Sequence, residues 1–156
     1  MSISICTATS NDYYAVNSLV GEGHEEHVME EPAIFKSVES VMPESYFKDL
    51  LEDQNSHIFI AKNDELVVGF AIISIEHSPS FHLVRRKYGY IHDFGVRKAL
   101  QKQGVGGLLF TGCKEWAKAR GATSIELNVW EFNANAIAFY EHLGMKGISR
   151  KMSMNI

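Results

Sequence analysis

The sequence predicts an α/β (α+β) domain with three layers: a mixed central sheet of about six to seven strands flanked by about four helices. Three observations predict it. Strand-like runs crowd the stretch from His57 to Val96, where turn signals separate them into hairpins. A clear helical periodicity follows, with Val105, Leu108, Leu109, Gly112, Cys113, Trp116 and Ala117 recurring on one face. The order of elements is hairpins first and a β-α-β-α-β crossover afterwards, which suits helices packed on a mixed sheet. The 156 residues fit a single domain spanning 1–156, with no repeat, low-complexity stretch or proline-rich linker to divide it.

Ser2 to Ala8 alternates and reads as the first strand. Ser10-Asn11-Asp12 offers capping oxygens, so a helix is expected from about Asp12, fraying near Gly21 and Gly23. Pro43 suits the first position of a second helix, whose apolar side carries Tyr46, Phe47, Leu50 and Leu51. His57 to Ala61 and Leu66 to Ile75 form a hairpin about Asn63-Asp64. Ser78-Pro79-Ser80 breaks the run, and strands are expected at Phe81 to Val84 and Tyr90 to Val96. The periodic helix ends at Gly121. Ser124 to Val129 is another strand, Asn133 caps a short helix closed by Gly144, and Lys146 to Met154 reads as a last strand.

Composition narrows the function. Net charge is -4, and the one basic cluster, Arg85-Arg86-Lys87, is short, so no nucleic-acid partner is expected. No apolar run reaches the length of a membrane span, and the amino terminus lacks the charged and apolar regions of a secretory signal, so a cytoplasmic address with no membrane partner is expected. Cys6 and Cys113 form no Cys-x-x-Cys pair and read as small buried residues. His24 and His27 lack the spacing of a zinc site and a third ligand, so no metal is expected.

Gly104-Val105-Gly106-Gly107 lies between a strand and the periodic helix. A helix start exposes unpaired N–H groups and the positive end of the dipole, and glycine lets an anion come close. This is the chemistry of a pyrophosphate cradle. Taken by itself, the loop serves equally well as a turn whose glycines aid helix–sheet packing. The Gly-Lys-Ser/Thr of a P-loop is absent, and the third glycine of a dinucleotide fingerprint is replaced by Leu109.

Gln101-x-x-Gly104-x-Gly106 resembles the Gln/Arg-x-x-Gly-x-Gly/Ala signature of the GCN5-related N-acetyltransferases, and Phe94-Gly95-Val96 looks like that family's fourth strand. Asn133-x-x-Ala136-x-x-Phe139-Tyr140-x-x-Leu143-Gly144-Met145 is similar to its Asn-x-x-Ala-x-x-Phe-Tyr element. Lys98 departs from a common proline. The resemblance implies acetyl-coenzyme A as the cofactor. Its pyrophosphate would be bound by the backbone from Gln101 and Lys102 through Gln103, Gly104, Val105 and Gly106 to Gly107. Its pantetheine arm would pair with Phe94, Gly95 and Val96 as an added strand. Asn133 would hydrogen-bond the cofactor, Tyr140 would protonate the leaving thiolate, and the Val96 N–H would polarise the thioester carbonyl. Relatives often form homodimers.

The implied reaction is acetyl transfer to a primary amine, which needs a base. Tyr90-Ile91-His92-Asp93-Phe94 resembles Tyr-x-Glu-Asp-Phe of polyamine acetyltransferases, with His92 replacing the glutamate. Strand alternation would place His92 and Asp93 on opposite faces. Asn128 occupies the position of a glutamate base in some relatives; an amide orients but does not take a proton. The acidic segment Gly21 to Pro32 would attract a cationic acceptor, and Phe35, Tyr46, Phe47 and Phe81 would wall its site. A catalytically silent acyl-coenzyme A sensor is the competing expectation, and a nucleotide-binding protein a third.

Overall fold

A computed structural model describes residues 1–156. The chain forms strand β1 (Ile3–Thr7), helices α1 (Tyr13–Glu30) and α2 (Glu44–Glu52), strands β2 (Ser56–Asn63), β3 (Leu66–His77) and β4 (Lys87–Val96), helix α3 (Val105–Ala119), strand β5 (Ser124–Leu127) and helix α4 (Ala134–His142). One sheet runs β1-β2-β3-β4-β5. The first three pairings are antiparallel and the last, β4 with β5, is parallel.

Side-chain alternation gives this sheet two covered faces. Ile58, Ile60, Phe70 and Ile72 join Val16, Leu19 and Phe47 beneath α1 and α2. Ala61, Ala71, Ile73 and Ile91 face Val105, Leu109, Cys113 and Trp116 of α3. The core therefore lies in two layers, as expected for a sheet buried on both sides. Within α3 the expected stripe is right except at one edge: Leu108 is exposed and Phe110 turns inward in its place.

The sheet has five strands, not six or seven. Phe81 to Val84 is an exposed turn, because the Ser78 N–H donates to the Arg86 carbonyl (3.0 Å) and the Arg86 N–H returns to Ser78 Oγ (2.8 Å), closing a loop over it. Lys146 to Met154 is irregular, with Ile148, Met152 and Met154 exposed. Strand β5 stops at Leu127, so Asn128 and Val129 fall in the following loop.

Helix α1 does not fray at its glycines. It runs to Glu30, where the Glu31 N–H meets the His27 carbonyl (2.8 Å). Each interior glycine costs about 1 kcal/mol of helix propensity. Packing of the following turn offsets it: His24 and His27 lie 6.0 and 5.0 Å from the ring of Phe35. Pro43 is the cap before α2 rather than its first residue.

Candidate active site

The site is built where β4 and β5 part. Their parallel pairing runs from Tyr88↔Ser124 to Ile91↔Leu127 and ends there. Strand β4 continues to Val96, still paired with β3 on its other side. Residues His92 to Val96 thus have no strand neighbour on the β5 side. The Arg97 N–H donates to the Val68 carbonyl on β3 (2.7 Å), so alternation turns the Val96 N–H away from β3 and into the opening. The Val96 carbonyl on that side accepts from Gln101 Nε2 (3.1 Å).

Beyond β4 the chain turns through two left-handed residues, Lys102 (φ 65°) and Gly104 (φ 91°), into α3. Gly104 is the helix cap, and its conformation is costly for any residue with a Cβ. None of the N–H groups of Lys102, Gln103, Gly104, Val105, Gly106 or Gly107 donates to a protein acceptor. Six consecutive free donors at the positive end of a 15-residue helix make an anion site. Gln101 contributes differently from its neighbours: its N–H donates to Lys98 and its side chain to Val96, so it ties the loop to the end of β4. Gly106 also has a packing reason. A Cβ there would meet the Phe139 ring at 2.9 Å, whereas Gly107 has open space around it.

A cavity of about 220 Å³ opens at the split, lined among others by His92, Asp93, Asn128, Trp130, Asn133 and Tyr140. Asn133 caps α4 by accepting the Ala136 N–H at its Oδ1 (3.2 Å), which leaves its amide N–H groups free. Tyr140 sits on α4 with its ring 6.1 Å from that of Phe94. Burial, with Asp93 and Cys113 nearby, pushes its phenol upward, so it keeps its proton throughout the physiological range. Asn128 donates to the Tyr90 hydroxyl (2.6 Å), leaving its Oδ1 available.

The structure alters the expected placement of His92 and Asp93. Ile73 pairs with Ile91 and Ile72 with Asp93, so His92 is the extra residue of a β-bulge. The bulge resets the alternation. Asp93 shares the face of Ile72, and both His92 and Asp93 line the cavity instead of pointing apart. Burial raises Asp93 to about 6, against a hydrogen bond from the Phe94 N–H (3.0 Å) that lowers it. The charge of Asp93 also raises Tyr46, after burial of that phenol, so α2 faces the same carboxylate. His92 is lowered by burial and raised by Glu76.

Sequence reading missed Trp130 and Phe132 and misplaced two aromatic walls. Phe35 packs against Trp130 (5.0 Å) and His27, and His27 against Phe132 (5.5 Å), joining the end of α1 to the β5–α4 loop. Phe47 is instead a fully buried core residue beside Tyr13, and Phe81 is fully exposed on the β3–β4 turn. A Trp-x-Phe directly after a strand end was the available signal for the missed pair. Cys6 is half-buried; burial pushes the Cys113 thiol up to about 12, which makes it a packing residue and not a nucleophile.

A model of the acetyltransferase (GNAT) family matches residues 24–145. An L-ornithine N5-acetyltransferase of Arabidopsis thaliana is 35% identical over 96 residues, which is 60% of this chain and 41% of that protein. An uncharacterised N-acetyltransferase of Methanocaldococcus jannaschii is 30% identical over 101 residues, 65% of this chain and 44% of that protein. The chain thus spans less than half the length of these curated relatives. Among solved structures, a mutant of the BH1408 protein from Bacillus halodurans superposes with a TM-score of 0.94 at 31% identity, covering 98% of this chain and 99% of that one. An aminoglycoside N-acetyltransferase solved with coenzyme A shares the fold at 16% identity, with a TM-score of 0.75 and coverage of 99% and 95%. With the family model spanning most of the chain and the paired motifs meeting at one split in the sheet, this chain belongs to the acetyltransferase (GNAT) family.

Proposed function

We propose that the chain transfers the acetyl group of acetyl-coenzyme A to a primary amine, by direct attack with both substrates bound. The observation that carries this reading is the run of six unpaired N–H groups from Lys102 to Gly107, next to the open edge of β4 and the cavity holding Tyr140. These groups fit the cofactor: the helix start suits a pyrophosphate, the free edge from His92 to Val96 suits an extended amide-bearing arm, and the free amide of Asn133 adds a donor.

Acetyl-coenzyme A, when bound, supplies the acetyl thioester. The residues of the chain do the rest. The Val96 N–H donates to the oxygen on which charge develops, and Tyr140 donates its retained proton to the departing sulfur. The Asp93 carboxylate holds the incoming ammonium, and Asn128 Oδ1 orients it. His92 takes the proton. The acidic end of α1, with Glu22, Glu25, Glu26 and Glu30, and Glu31 directly after it favour a cationic acceptor. The ornithine acetyltransferase relative supports a small cationic amine as that acceptor.

Gly107→Asp tests the cofactor site. The position has open space, and a carboxylate in the first turn of a helix is compatible with folding. Calorimetry should show a folded variant whose affinity for coenzyme A falls by at least about 30-fold, since a fixed charge opposes the pyrophosphate. Unchanged affinity would place the cofactor elsewhere.

A further inference from the structure

Ser74 is the single buried polar residue of the chain, 5% exposed in the middle of β3. Its Oγ lies 2.9 Å from Glu76 Oε1 and 2.6 Å from His92 Nε2. An ionised carboxylate only accepts, so the one hydroxyl proton goes to Glu76. The hydroxyl then offers the imidazole nothing but lone pairs. His92 Nε2 must therefore carry a proton and donate it, and in the neutral ring Nδ1 is left as an acceptor with no protein partner. The ring lines the cavity, while the Glu76 side chain at the other end of the chain of bonds is 45% exposed.

We propose that Ser74 and Glu76 are positioning residues that hold His92 as its Nε2–H tautomer and lead a proton from the cavity to solvent. The inference rests on the amine-acetylation reading. The acceptor ammonium gives one proton to His92 Nδ1, the Nε2 proton passes to Ser74 Oγ, and the hydroxyl proton passes to Glu76, which releases it to bulk water. This leaves the ring as its Nδ1–H tautomer; after product release Nδ1 gives that proton to water entering the cavity, and a proton returns from bulk water through Glu76 and Ser74 to Nε2. The resting Nε2–H form is thus restored with only N–H and O–H bonds changed. After the Ile73–Ile91 pair, alternation turns His92 to the face of Ser74, and the bulge then brings Asp93 to that same face, so both line the cavity. The titratable groups about the imidazole are Glu76 on β3, Tyr90 and Asp93 on β4, His27 on α1 and Tyr140 on α4.

Two-bond proton–nitrogen NMR spectra of the full chain, uniformly labelled with ¹⁵N, read the tautomer directly at about pH 8, where an imidazole is neutral. His92 should be protonated at Nε2. Ser74→Ala should release it to a mixture of tautomers and lower kcat by about tenfold with KM for acetyl-coenzyme A unchanged. Glu76→Gln should lower the midpoint of His92 titration, since it removes the charge that raises it. A wild type that releases thiol with His92 protonated at Nδ1, or a Ser74→Ala variant with unaltered tautomer and kcat, overturns the relay alone. A wild type with the Nε2–H tautomer and no thiol release on any amine overturns the catalytic use of the relay together with the proposed function.

Discussion

Asp93 shows how much one residue owes to its backbone. Its carboxyl stands at about 6 because burial disfavours the charge more than the Phe94 N–H supports it. The sequence offered it only as one acidic residue in a strand, on the face opposite His92. Alternation is a rule for regular pairing, and the bulge between Ile72 and Ile73 breaks the rule at this point. No local composition announces such a bulge, so the shared cavity of His92 and Asp93 was not legible. The pH dependence follows from the two groups. Asp93 must be ionised to hold an ammonium and His92 neutral to take a proton, so both must be deprotonated. As pH falls through about 6 Asp93 binds its proton, and His92, held below its ordinary imidazole value by burial, binds one as well in more acid solution. kcat should then fall, with log kcat rising at a slope approaching about 2 per pH unit in the acid limb. In Asp93→Asn that slope should drop to about 1. A stopped-rate assay from acid to neutral pH measures it, and an unaltered slope would remove Asp93 from the reaction.

The elements most legible in the sequence were those whose signal is local and repeated. Helix α3 carries a stripe that no strand would produce, and Asn133 followed by Ala136 announces the cap that the structure forms. The misread elements depended on distant partners. Phe81 to Val84 has strand-forming residues but pairs with no strand, and the tail after Lys146 likewise leaves the outer edge of β5 unpaired. The three glycines of the loop were read together, although the structure gives them different tasks. Gly104 is left-handed at φ 91°, Gly106 makes room for Phe139, and Gly107 is open. Gly104→Ala should therefore cost roughly 1–2 kcal/mol. Gly107→Ala should be neutral or stabilise by up to about 1 kcal/mol through the unfolded state. Thermal denaturation separates the two: the melting temperature should fall by a few degrees in Gly104→Ala and be kept or raised in Gly107→Ala. Equal losses would mean that the loop geometry is not what sets the cap.

For the whole molecule, the sheet is the device that brings distant residues together. Its left half, β1 to β4, is an antiparallel ladder, broken by register shifts at Ala61/Lys62 and at the His92 bulge, that keeps β4 paired with β3 as far as Val96. Its right half is four residues of β5, which stop early and let α4 approach. The split between the halves turns backbone that would otherwise be paired into a binding edge. Helix α3 starts at its foot, and Tyr140 and the His92–Asp93 pair line the cavity. The motif about Gln101 to Gly107 and the motif about Asn133 to Tyr140 were legible separately; their convergence is a property of the fold. The most direct test is release of free thiol from acetyl-coenzyme A by the whole protein, over a panel of small cationic amines, for the wild type and Tyr140→Phe. The wild type should release thiol in an amine-dependent way, and the variant should do so at least about 100-fold more slowly while its affinity for coenzyme A is kept. Binding of coenzyme A with no amine-dependent release from the wild type, or an undiminished rate in Tyr140→Phe, would contradict this.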